Sequence, residues 1–73
     1  MYRQYQSTTH KTDHNFRYVT DLWEYADRLY GNGDGELCSD GLWLGFDGEN
    51  VAVCLHGVRV DTLVFKGLSN ASQ

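Results

Sequence analysis

The stretch Tyr30-Gly31-Asn32-Gly33-Asp34-Gly35-Glu36-Leu37 has the composition of a calcium loop. An EF-hand-type loop needs oxygen ligands at positions 1, 3, 5 and 12, with glycine at 6. If Gly35 is set at position 6, Asn32 and Asp34 fall on 3 and 5, but Tyr30 stands at 1 and Gly41 at 12. The first ligand and the closing bidentate glutamate are therefore missing. The residues that follow alternate like a strand and do not read as an exiting helix. The stretch reads better as punctuation, a helix end followed by a glycine-rich turn. A loop-borne cation site on Asp34, Glu36 and Asp40 is the alternative.

Zinc would draw on His10 and His14, which are four apart, and on the two thiols, Cys38 and Cys54. Neither cysteine belongs to a CxxC knuckle, and the histidines lie in a polar segment without period. Solvated histidines and two small thiols are the favoured reading. A Cys38–Cys54 disulfide fails on spacing. If Asp47-Gly48-Glu49-Asn50 closes a hairpin that pairs Phe46 with Val51, Cys54 faces Trp43. Cys38 then lies about four residues further along the strand even with a bulge, on the order of 13 Å away. A disulfide needs Cα atoms within about 7 Å. Nucleophilic catalysis has little support: there is no G-x-S-x-G elbow or phosphate loop, and nothing in the spacing of Ser39, His56 and Asp61 brings them together. No catalyst and no cofactor is expected.

The remaining chemistry is recognition. On the hairpin register Trp43 points away from the Leu42, Leu44 and Phe46 face. An uncovered tryptophan is costly and is enriched at binding hot spots. Asp34, Glu36, Asp40, Asp47 and Glu49 surround it in sequence. An aromatic anchor in an acidic rim suits a basic protein partner. The competing explanation is that the N-terminal segment or a second copy covers the indole.

Charge distribution agrees. Residues 1–19 carry Arg3, Lys11 and Arg17 against Asp13, a net +2. Residues 20–50 carry eight carboxylates against Arg28, a net −7. Residues 51–73 have a net +1, and the whole chain −4. Nucleic-acid affinity comes largely from Lys and Arg, so the acidic middle segment disfavours direct nucleic-acid binding and favours a basic protein surface. An ordinary solvated charged face is the plainer alternative.

These residues must be positioned by few elements. At 73 residues the chain is one small domain at most. Val19, Leu22, Trp23, Ala26, Leu29 and Tyr30 form one apolar stripe at the helical period, predicting a helix over about 20–30. Thr20 or Asp21 would cap its start, with Asp21 and Glu24 as a capping box. Gly31 would end it in a left-handed conformation, and Glu24, Asp27 and Arg28 would face solvent. From Glu36 onward the period becomes 2. Strands are expected at about 37–46, 51–56 and 58–65, joined by Asp47–Asn50 and His56-Gly57. The fold class is α+β, one helix on a three-stranded antiparallel meander. Residues 1–15 read as a polar arm or as a further edge strand near Tyr2–Gln6, residues 16–67 as the domain, and 68–73 as a fraying tail.

The longest apolar run, Val51–Leu55, is far too short to span a membrane. No charged start followed by an apolar run suggests a secretion signal, so a cytoplasmic protein is expected and the Asn70-Ala71-Ser72 sequon is read as chance. In size, charge and the acidic segment Asp34–Asn50, the chain resembles the small phage-encoded inhibitors of bacterial defence, particularly anti-CRISPR proteins. That resemblance implies a cytoplasmic stoichiometric inhibitor. Its Asp34, Glu36, Asp40, Asp47 and Glu49 would imitate phosphates against a nuclease or a CRISPR surveillance complex. The alternatives are a self-associating phage structural subunit, such as a homodimer, and a domain stabilised by zinc or calcium.

Overall fold

The computed structural model describes residues 1–31 and 41–70. In order they form β1 (Tyr2–Ser7), β2 (Asp13–Phe16), α1 (Val19–Tyr30), β3 (Leu42–Asp47), β4 (Asn50–Leu55) and β5 (Val58–Ser69). The five strands make one antiparallel sheet in the order β2-β1-β5-β4-β3, so α1 carries the chain from one sheet margin to the other. The α+β class and the β3–β4–β5 meander agree with the sequence. The sheet is larger than three strands because the N-terminal residues complete it.

That is the main departure. Residues 1–15 do not form an arm, and β1 is not an edge strand: it lies inside the sheet between β2 and β5, and β2 is the outer strand. The segment looks polar because only alternate residues of β1 face the helix. Tyr5 and Ser7 are buried there, while Gln4 and Gln6 lie on the other, half-open face. At the other end of the chain, β5 runs to Ser69, and residues 71–73 lie outside the described residues.

The hairpins follow turn chemistry. Asp47 pairs with Asn50 and Phe46 with Val51, leaving Gly48-Glu49 as the loop; Gly48 takes φ +62. A left-handed first loop residue matches the twist of the flanking strands and favours glycine. His56 and Gly57 both take positive φ, +52 and +81, as a type I′ turn requires. Trp43 pairs with Cys54, as the hairpin register predicts.

The core is Leu42 and Leu44 of β3, Val51 and Val53 of β4, Leu63 of β5, Tyr5, Phe16, and Leu22 and Ala26 of α1. At about 25 cal/mol per Å² of apolar surface buried, each fully covered Val or Leu contributes roughly 1.5–3 kcal/mol against leaving it in water. The buried helix stripe is narrower than its sequence pattern: Val19 and Leu29 are exposed, while Asp27, expected in solvent, is wholly buried beside Ala26. The helix spans Val19–Tyr30, close to the expected 20–30, but its caps differ. Tyr18 is the N-cap, and Asp21 reaches back to accept hydrogen bonds from the backbone N–H of Tyr18 (3.1 Å) and Arg17 (3.3 Å). Asp21 therefore stands in the first turn and not at the cap, where its charge suits the helix dipole. Gly31 ends the helix with φ −99, not left-handed, and donates to the Asp27 carbonyl at 2.8 Å.

Candidate docking surface

β3 is the outer strand at the margin opposite β2, and its odd-numbered residues face away from the core. Trp43 is 63% exposed. Its indole meets Trp23 of α1 edge-to-face, with ring centroids 6.1 Å apart, so it folds around the sheet margin toward the helix. Edge-to-face ring pairs contribute about 0.5–1.5 kcal/mol beyond area burial, enough to orient an otherwise open indole. Neither the N-terminal segment nor any other described element covers it. Gly45 follows on the same face, and a Cβ there would meet nothing within 4 Å. Asp47 comes next, exposed, about 13 Å from Trp43 along the strand. The strand thus presents an indole, an open stretch and a carboxylate in one row.

Of the other acidic residues expected at this row, only Glu49 is among the described residues. Asp34, Glu36 and Asp40 lie outside the described residues, as do Ser39, Cys38 and most of the calcium-like stretch. Glu49 turns the other way and pairs with Arg3 at 3.5 Å. Arg3 also donates to the Tyr5 hydroxyl at 3.1 Å, and that bond and the neighbouring Glu49 charge hold its pKa above the ordinary value. The acidic rim expected around Trp43 therefore reduces, among the described residues, to Asp47.

The histidines and the remaining thiol have other roles. The imidazole of His10 hydrogen-bonds the Tyr30 hydroxyl at 2.8 Å. His14 bonds Thr12 at 2.7 Å and packs on Phe16 and Tyr25, with centroids 5.9 and 4.5 Å away. Burial pushes the His14 pKa below its usual value. Cys54 is a free, half-buried thiol. No group of three or more metal-ligating side chains occurs among the described residues. His56 lies over Gly41, where a Cβ would clash with its ring, and its N–H donates to the Gly41 carbonyl at 2.8 Å.

One polar cluster escaped the sequence reading. Asp61 is 2% exposed on β5 beside a bulge, and Ser7 is fully buried on β1. The Ser7 hydroxyl donates to one Asp61 carboxylate oxygen at 2.7 Å. The backbone N–H groups of Thr9 (3.1 Å) and Thr62 (2.8 Å) donate to the other. Burial alone would raise the Asp61 pKa, but these hydrogen bonds outweigh it and hold the carboxyl below its ordinary value. A serine and a carboxylate in contact could activate a nucleophile, but both are closed to solvent. The pair acts as a staple between the β1–β2 loop and β5. The polar loop sequence Ser7-Thr8-Thr9 was the available signal, but it names no partner 54 residues away.

No helix among the described residues is long and apolar enough to cross a membrane. Comparison with family models, curated proteins and solved structures finds no match.

Proposed function

We propose that this chain is a non-catalytic protein-binding module that docks the outer face of β3 on a basic surface of a nucleic-acid-handling protein. Its most concrete role is a stoichiometric inhibitor acting in the bacterial cytoplasm, of the kind phages direct against CRISPR complexes. The observation that carries the reading is the 63% exposed Trp43, held by Trp23 at a sheet margin with Asp47 in the same row. An indole left open at such a margin costs solubility, and its burial in a partner pocket recovers that cost. The acidic stretch Asp34–Asp40 adjoins β3 in sequence and adds long-range attraction for a basic partner.

The test is capture from bacterial lysate with wild type, Trp43→Ala, and a variant with Asp34, Glu36, Asp40, Asp47 and Glu49 changed to Asn or Gln. The reading expects a basic nucleic-acid-handling complex that both variants lose and that high salt weakens. Equal capture by all three proteins would refute it. A second reading, a self-associating structural subunit, is favoured by the outer strands β2 and β3, each with one unpaired side in the described sheet. Concentration-dependent sedimentation with no captured partner would select it.

A further inference from the structure

We propose that the groove between the start of α1 and the β3–β4 turn binds a small planar ring carrying an anionic group, with a nucleoside monophosphate as the simplest example. The groove encloses about 340 Å³. Ligand pockets run from about 300 Å³ upward and are mostly apolar, with a few placed polar groups that fix orientation. The lining fits that description. Phe16 and Leu22 form the floor, Tyr18 and Phe46 the walls, and Arg3 and Arg17 the charges.

Ring and charge recognition lie side by side. Tyr18 is 61% exposed and Phe46 56%, both large ring faces left open at the groove mouth. Arg17 stands 5.7 Å from the Tyr18 ring centroid and 5.8 Å from that of Tyr2. Arg3 stacks over Phe65 at 4.4 Å. Arginines held beside rings are partly preorganised, so less freedom is lost when they grip an anion. Arg17 makes no ion pair among the described residues, and the single carboxylate at the groove, Glu49, reaches Arg3 only through an exposed 3.5 Å contact that a stronger anion can displace. Among the lining side chains, two cations thus face one anion.

The same turn argues for a small ligand over a polymer. Glu49 lines the groove on that turn, and a continuing nucleic-acid backbone would carry its next phosphates past it. One anionic group fits; a chain of them is repelled.

The test is calorimetric titration of the full chain with adenosine or uridine monophosphate, the matching nucleosides, inorganic phosphate and a short single-stranded oligonucleotide. The arginine Nε–H signals are followed by NMR. A monophosphate is expected to bind with Arg3 and Arg17 shifting, and the nucleoside or phosphate alone to bind about tenfold more weakly, since each keeps only one of the two interactions. Arg17→Gln is expected to weaken binding about tenfold through loss of a charge-assisted hydrogen bond. Glu49→Gln should strengthen it a few-fold by freeing Arg3, a change of sign that a merely structural Glu49 would not produce. Both substitutions are at exposed positions, and an unchanged melting curve confirms the fold. The proposal is overturned if millimolar monophosphate does not bind, if nucleoside or phosphate binds as well, if the oligonucleotide binds more tightly, or if neither substitution changes the affinity.

Discussion

At the β1–β5 joint a carboxylate is closed to solvent, while at the β3 margin an indole is open to it. Both invert the ordinary partition of side chains, yet for different reasons. Asp61 is inside because Ser7, Thr9 and Thr62 satisfy it, so its burial contributes to the fold. Trp43 is outside although one face of its neighbourhood is apolar, and only Trp23 touches it as a ring partner. A buried polar group with its hydrogen bonds complete is explained by the chain itself. An exposed large apolar group is not explained in that way by any contact among the described residues.

The comparison breaks most sharply at Asp61. Asp61→Ala would strand the Ser7 hydroxyl and two backbone N–H groups, and is expected to cost about 3 kcal/mol in urea or thermal unfolding. Capture of a partner should fall only as far as the folded fraction falls. Trp43→Ala should do the reverse. It loses one ring contact, about 1 kcal/mol or less, and abolishes capture. If Trp43→Ala instead cost as much stability as Asp61→Ala, the indole would be core and the docking reading would fail.

Gly45→Thr sharpens the same contrast. A Cβ there meets nothing, and threonine favours strands, so stability should hold or rise by a few tenths of a kcal/mol. The added side chain fills the gap between Trp43 and Asp47 and should still weaken capture. Undiminished capture by a folded Gly45→Thr protein would place the docking surface elsewhere.

The smaller effects are titrations. His14 has a folded pKa below its ordinary 6.5 because it is partly buried. Below that value the unfolded chain binds the proton more readily, so stability is highest above about 6.5 and falls as the pH drops through the lower folded pKa. Unfolding midpoints at neutral pH and near pH 5 should show the decline, and His14→Phe should remove its share. Asp61 acts in a separate window: its contribution is present above the ordinary 3.8 and is lost as pH falls through its lower folded value. The smallest effect is at Glu49→Gln. The ion pair with Arg3 is exposed, and stability should change by no more than about 0.5 kcal/mol.

Periodicity carried much of this architecture. The change from a 3.6 to a 2 repeat placed α1 and the β3–β4–β5 meander, and the Phe46–Val51 hairpin register put Trp43 opposite Cys54 and on the face away from the core. These are local consequences of side-chain spacing and turn chemistry, so a single sequence contains them. Three features are not local. β1 became an interior strand only because β5 offers it a second partner, and that pairing joins Tyr2 to Ser69 across nearly the whole chain. Asp27, on a helix face that looked solvated, is covered, because which neighbour lies over a helix face is settled by packing. In the sequence Asp61 has no assigned role, and Glu49 belongs to the acidic segment expected to face a partner. Tertiary structure buried one against Ser7 and turned the other onto Arg3, since hydrogen bonds and ion pairs depend on distances of a few ångströms between residues that spacing along the chain does not relate.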